Sequence, residues 1–221
     1  MIGLVLAAAG EGNRFGGTPK QFNLIGETPV YLRALQPFFG LVHEIVILVP
    51  AQWLSKIGAE IRHRKLENVK VTTGGPRRQD TVNKGLNELS EEVEIVLIHD
   101  AARPFVTRNL IQRVIEKARH SGACVPVLPV PDTIKEVEHG VVQRTLDRNR
   151  LYLAQTPQAF SRSLLNQAFD LARKEEWEVT DESSLLERMG ETVYVIEGER
   201  SNIKITWRED LVNLRPLNDR T

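Results

Sequence analysis

Four short segments of the chain concentrate the residue types that handle charge. They are "LAAAGEGNRFGGTPKQF" at 6–22, "TGGPRRQDT" at 73–81, "HDAARPF" at 99–105 and "VPDTIK" at 130–135. The first is a glycine loop suited to phosphates, because Gly10 and Gly12 let a ligand approach the backbone N–H groups closely. It is not a dinucleotide loop, which needs a glycine where Phe15 stands. Nor is it a P-loop, since Thr18-Pro19-Lys20 replaces Gly-Lys-Ser/Thr. Its distinguishing residues are Arg14 and Lys20, full positive charges placed where negative charge would grow. Asp100 stands where an apolar run stops. A carboxylate aimed into an anion-binding cleft needs a cation beside it, and Mg²⁺ bridging Asp100 and phosphate oxygens supplies one. The other reading of Asp100 is a helix cap or an ion pair with Arg103. His99 reads as structural, because no second histidine is spaced for a metal site. No serine sits in a G-x-S-x-G turn and no Cys–His pair is plausible, so a nucleophile with its base is missing. Cations, glycines and one carboxylate suit phosphoryl or nucleotidyl transfer, where positioning and charge neutralisation supply most of the catalysis. That chemistry needs no general base when the nucleophile is itself a phosphate, mostly dianionic at neutral pH with a second pKa of ~6.

In open parallel sheets, ligands bind at the carboxyl ends of the strands. Apolar runs at 1–8, 43–50, 68–75, 93–100 and 122–130 read as five strands. Helical patterns at 28–39, 51–65, 77–90 and 107–122 alternate with them, which predicts an α/β fold with a Rossmann-like, mostly parallel sheet flanked by helices. The four charged segments each follow a strand, so they meet on one edge. Thr28 is expected as an N-cap with Pro29 in the first helical position, and Gly122 as a helix end. The rhythm breaks at about 132. From there to about 147 the chain is polar, alternates, and folds back at His139-Gly140, which predicts a protruding β-hairpin arm. Such an arm lies in solvent or packs on a partner subunit, and the partner is the expectation. A helix at 162–174, another capped by Thr180, a strand at 191–198 and a final helix from 208 follow. With no repeats and no linker, residues 1–221 read as one domain with its arm.

Lys plus Arg and Asp plus Glu are equal at 29 each, so no global field favours nucleic acid or an anionic membrane. A polyanion site must then be a local gathering of cations. The lone cysteine, Cys124, lies in an apolar run and reads as an inert core thiol. No apolar stretch reaches the roughly 18 residues of a membrane span, and a cytoplasmic protein is the expectation.

The glycine loop, "LIHDAARPFV" and "DRNRLYLAQTPQAF" together resemble the cytidylyltransferases of the non-mevalonate isoprenoid pathway, with "TDESSLLE" and "NIKIT" extending the likeness over nearly the whole chain. More narrowly, they resemble the 2-C-methyl-D-erythritol 4-phosphate cytidylyltransferases. The resemblance implies a nucleotidyltransferase fold and attack of the methylerythritol phosphate on the α-phosphorus of CTP, giving 4-diphosphocytidyl-2-C-methyl-D-erythritol and pyrophosphate. It implies that Arg14 and Lys20 stabilise the pentavalent α-phosphate. Arg148 and Lys204 would position the second substrate, with Arg103, Thr133 and Thr156 lining its pocket. Gly75, Pro76 and Thr81 would form the cytosine pocket, with Ala8, Ala9, Gly10, Gly12, Asp100 and Ala101 around the nucleotide. Asp100 would stand near Mg²⁺ or another divalent ion. The arm would reach into a homodimer partner, so one site could mix residues of two subunits. Pro76 departs from the acidic residue common in relatives, and having no N–H it cannot read a base by its own amide. A ribitol 5-phosphate cytidylyltransferase is the nearest alternative. A nucleotide-binding regulatory module is a second. A Rossmann-type oxidoreductase is disfavoured by Phe15 and by the lack of an acid in "VPAQ" after the second strand.

Overall fold

The computed structural model describes residues 1–10, 15 and 18–214, with side chains as far as Leu211. Chain order is β1 (Ile2–Ala7), β2 (Leu24–Ile25), β3 (Thr28–Pro29), α1 (Val30–Leu35), β4 (Glu44–Val49), α2 (Leu54–His63), β5 (Val69–Thr73), α3 (Arg78–Asn87), β6 (Ile95–Asp100), α4 (Arg108–Ser121) and β7 (Ala123–Pro129). Then come β8 (Lys135–Glu138), β9 (Val141–Thr145), β10 (Tyr152–Ala154), β11 (Gln158–Ser161), α5 (Arg162–Lys174), α6 (Ser183–Arg188), β12 (Tyr194–Glu197) and α7 (Arg208–Leu214).

β5, β4, β1 and β6 run parallel side by side. β11 is inserted antiparallel between β6 and β7. β10 continues along the same edge of β7, and β12 lines its other edge in parallel. β1, β4 and β6 are largely apolar and buried because both faces are covered, whereas the edge strand β5 is only partly buried. Alternate residues sort cleanly. Leu4, Leu6, Ile45, Ile47 and Leu97 face one layer with Ile57, Ile111 and Val114. Val5, Val46, Leu48, Val96 and Ile98 face the other with Val82, Leu86, Leu165 and Phe169. Helices α2 and α4 therefore cover one face, and α3 and α5 the other.

α3 approaches the sheet unusually closely. A Cβ on Gly85 would lie 2.6 Å from Val5 Cγ1 and 2.7 Å from Leu48 Cδ1. α4 starts at Thr107, whose hydroxyl accepts from Leu110 N–H, and ends at Gly122 as expected. Two other caps differ from expectation. Thr28 does not cap α1, because Thr28–Pro29 pairs with Leu24–Ile25 as a short strand and Pro29 takes the cap position. Thr180 does not cap the later helix. Asp181 accepts from the N–H (3.2 Å) and hydroxyl (2.7 Å) of Ser184, an ionised acceptor displacing a neutral hydroxyl from that role.

The predicted hairpin is β8–β9, with Glu138 paired to Val141 across His139-Gly140. Both turn residues have positive φ, at 48° and 80°, as a two-residue hairpin turn requires. Among the described residues no helix is long and apolar enough to cross a membrane.

Candidate active site

The carboxyl ends of β1, β5 and β6 open on a cleft of about 400 Å³. Its floor is backbone and small side chains from Ala8, Ala9, Gly10, Gly75 and Pro76, and its charged groups are Lys20, Arg77, Arg78, Lys204 and Asp100. Four cations thus face one carboxylate in a chain of zero net charge. Gly74 is required where the two loops meet, because a Cβ there would collide with the Ala9 methyl.

Asp100 ends β6 and is buried. Arg78 Nε approaches one carboxylate oxygen at 3.3 Å and Lys204 Nζ the other at 2.6 Å. Burial alone would push this carboxyl up, but the adjacent cations outweigh it and hold Asp100 well below the usual carboxylate range. Asp100 N–H donates to Thr156 Oγ1 at 3.0 Å, and Thr156 Oγ1 lies 3.0 Å from His99 Nδ1. His99 Nε2 lies 3.2 Å from the Arg103 carbonyl, an acceptor only, so Nε2 carries the proton and the threonine hydroxyl donates to Nδ1. Full burial lowers the His99 pKa to about 4, so the ring is neutral and structural, as its isolation in the sequence suggested.

Behind Asp100 stands a second carboxylate. Arg78 Nη1 donates to both oxygens of Glu182 at 2.8 Å. Burial pushes Glu182 above its ordinary range, while the two carboxylates keep Arg78 protonated against its own burial. The pairing of Arg78 with Glu182 carries no signal in the sequence, because it joins segments 104 residues apart.

The expected site residues separate into groups. Ala8, Ala9, Gly10, Lys20, Gly75, Pro76, Thr81, Asp100 and Lys204 line the cleft. Gly12 and Arg14 lie outside the described residues. Thr81 is committed to its neighbours, since its hydroxyl accepts from Gly75 N–H (3.0 Å) and reaches the Gly75 carbonyl (3.3 Å). Ala101 is fully buried and donates its N–H to the Ala7 carbonyl, and Ala102 takes the cleft wall instead. Arg103 braces the chain beside the cleft, donating to the carbonyls of Asn202 (2.8 Å) and Ala154 (3.2 Å). Arg103 and Lys204 also border an adjoining cavity walled by Leu128, Pro129, Leu153 and Ile203. Thr133 and Arg148 are exposed at the base of the arm and do not line the cleft. Arg148 donates to the Pro131 carbonyl at 2.8 Å.

Lys20 sits in the short helical turn Lys20–Phe22. Phe22 anchors that turn by stacking on Trp53, with ring centroids 4.2 Å apart. Buried Gln21 reaches back under the glycine loop, where its amide donates to the carbonyls of Ala8 (2.7 Å) and Gly10 (2.9 Å).

Comparison with known proteins places this site in a family. The IspD family profile, 2-C-methyl-D-erythritol 4-phosphate cytidylyltransferase, matches residues 2–215. A protein of that name from Syntrophus aciditrophicus is 41% identical over 214 residues, covering 94% of this chain and 92% of the relative. The bifunctional enzyme IspD/IspF of Desulfotalea psychrophila is 42% identical over 95% of this chain, and this chain spans 54% of that longer protein. The crystal structure of 2-C-methyl-D-erythritol 4-phosphate cytidylyltransferase from Thermus thermophilus superposes with a TM-score of 0.81 at 36% identity, covering 97% of this chain and 98% of that one. The chain belongs to the 2-C-methyl-D-erythritol 4-phosphate cytidylyltransferase family of nucleotidyltransferases.

Proposed function

We propose that this chain transfers the cytidylyl group of CTP to the phosphate of 2-C-methyl-D-erythritol 4-phosphate in isoprenoid precursor biosynthesis. One observation carries the chemistry: the described residues of the cleft offer cations, backbone and a single ionised carboxylate, without a paired nucleophile and base. A phosphate oxygen of the second substrate attacks the α-phosphorus of CTP. A new P–O bond forms, the bond to the β-phosphate breaks, and pyrophosphate leaves with the electron pair. The dianionic nucleophile needs no proton removed. Lys20, together with Arg14, neutralises charge at the α-phosphorus. Lys204 and Arg148 orient the attacking phosphate. Arg103 and Thr156 hold the backbone around Asp100 and Lys204 in register.

A divalent cation would share Asp100 with Lys204 and Arg78, which face its two oxygens at 2.6 and 3.3 Å. Among the described residues no three potential ligands cluster, and Asp100 is the one carboxylate in the cleft. Mg²⁺ is commonly held by one or two carboxylates together with substrate phosphates. Asp100 would hold it here, and when bound it would neutralise charge on the nucleotide's phosphates.

The arm supports a homodimer in the same reading. Arg148 and Thr133 do not line their own chain's cleft, while Val137, Val141 and Val142 stand 55%, 61% and 55% exposed on an otherwise polar hairpin. A second copy that buries those valines is the means by which Arg148 and Thr133 reach a cleft. A cytoplasmic location belongs to this proposal as well.

The test is pyrophosphate release from CTP and Mg²⁺ with methylerythritol 4-phosphate and ribitol 5-phosphate supplied in turn. Release with the first supports the reading. Release with ribitol phosphate alone overturns it, and CTP binding without any turnover points to a regulatory module.

A further inference from the structure

A loop that holds phosphates through its amides must turn its carbonyls away, because a carbonyl oxygen beside a phosphate repels it. The structure shows what turns them. Gln21 is 3% exposed, and its one carboxamide receives two carbonyls of the glycine loop, Ala8 at 2.7 Å and Gly10 at 2.9 Å. Both partners are acceptors, so only the NH₂ end of Gln21 can serve them. In a trans peptide the C=O and the following N–H point in opposite directions. The Ala8 carbonyl aimed at Gln21 therefore sets the Ala9 N–H facing away from it, and Ala9 lies on the cleft wall. The Ala9 N–H takes no hydrogen-bond acceptor among the described residues, whereas the Ala8 N–H is used by the Leu48 carbonyl. Gln21 also follows Lys20 directly in one short turn, fixed on its far side by Phe22 stacked on Trp53. One residue thus ties the amide loop to the turn that presents a phosphate-binding lysine.

We propose that Gln21 is a positioning residue: its carboxamide holds the Ala8 and Gly10 carbonyls so that the Ala9 amide, and Lys20 beside it, are ready for the nucleotide's phosphates. This rests on the cytidylyltransferase reading and adds a residue to it. It also predicts that the effect falls on one substrate, because Gln21 touches the nucleotide loop alone among the parts assigned to the two substrates.

Gln21→Met keeps size and burial while removing the donor. Gln21→Glu replaces the donor with a carboxylate that repels both carbonyls until it is protonated. CTP binding is read by calorimetry, and KM and kcat by pyrophosphate release, with wild type run alongside. For Gln21→Met the CTP Kd and KM rise about tenfold or more, while the KM for methylerythritol phosphate at saturating CTP changes less than about twofold. For Gln21→Glu the loss is larger at pH 8, and its activity relative to wild type climbs as pH falls toward 6, because the neutral acid donates one hydrogen bond. A CTP Kd unchanged in Gln21→Met, a loss shared equally by both substrates, or a Gln21→Glu to wild-type ratio that does not rise in acid overturns the role. Wild type that releases no pyrophosphate while Gln21→Met still weakens CTP binding overturns the proposed reaction instead and leaves the role of Gln21 standing.

Discussion

Lys20 is the residue where loss of charge and loss of rate should coincide most simply. It lines the cleft and belongs to a turn anchored by Phe22 stacked on Trp53. Lys20→Ala should lower kcat about 100-fold or more, the size of effect seen when one donor to developing negative charge is removed. The circular dichroism spectrum should match wild type. An unchanged kcat in the folded variant would remove Lys20 from the reaction. Asp181 allows a different test, of pH. Burial opposes its ionisation, but the hydrogen bonds from Gln158, Ser183 and Ser184 outweigh that and hold its pKa below the ordinary value. A depressed folded-state pKa means stability that is present above the unfolded value of ~3.9 and is lost as pH falls through the folded value. Asp181→Asn should therefore cost about 1–2 kcal/mol at neutral pH, and the gap to wild type should narrow as pH falls below the unfolded value of ~3.9. Urea unfolding at stepped pH measures it, and a gap that is constant with pH would contradict the assignment.

At the scale of elements, α3 carries Arg78 and Thr81 to the cleft, and Gly85 decides how near the sheet it sits. Gly85→Ala drives a methyl to within 2.6–2.7 Å of Val5 and Leu48, both buried in a close-packed layer. Alanine's better helix propensity, worth roughly 1 kcal/mol, works in the opposite direction. Overpacking typically costs about 1–3 kcal/mol, so the net change should be destabilising, with a smaller loss of activity as Arg78 is displaced from Asp100. A variant more stable than wild type in urea would show that α3 has room to shift. The same elements explain what could be read in advance. β1, β4 and β6 were legible because burial on both faces leaves a long apolar run, and the edge strand β5 because its β-branched residues run into a glycine pair. β10 and β11 were not. They are short, and their places depend on partners distant in sequence: β11 lies antiparallel between β6 and β7, and β10 pairs antiparallel with β7. Cap positions failed for a related reason: Thr28 and Asp181 are decided by a strand pairing and by an ionised competitor, which local propensity does not register. In the site, the cations and Asp100 were visible as residue types. That Thr156, Arg103 and Thr81 spend their polar groups on backbone and neighbouring residues was not, because a hydrogen-bond partner is a property of the fold.

At the scale of the whole molecule, the arm is the part that one chain leaves without a role. A two-stranded hairpin is marginal in water on its own, and this one leaves Val137, Val141 and Val142 more than half exposed. β10, which follows it, exposes Tyr152 at 56% and Leu153 at 53%. If a second copy covers these side chains and receives Arg148 in its cleft, assembly and use of the polyol phosphate must fail together. Replacing Val141 and Val142 with lysine places two charges where the partner should pack, and leaves the sheet, the glycine loop and Asp100 untouched. Sedimentation velocity should then report a monomer where wild type is a dimer. The KM for methylerythritol phosphate should rise at least about tenfold as the partner's positioning cation is lost. CTP binding should stay within about twofold of wild type, because Val141 and Val142 do not line the cleft that holds Lys20 and Asp100. A variant that stays dimeric would move the interface elsewhere. A monomer that still uses methylerythritol phosphate normally would show that Arg148 serves its own chain's cleft, and the arm would then have to swing toward it on binding.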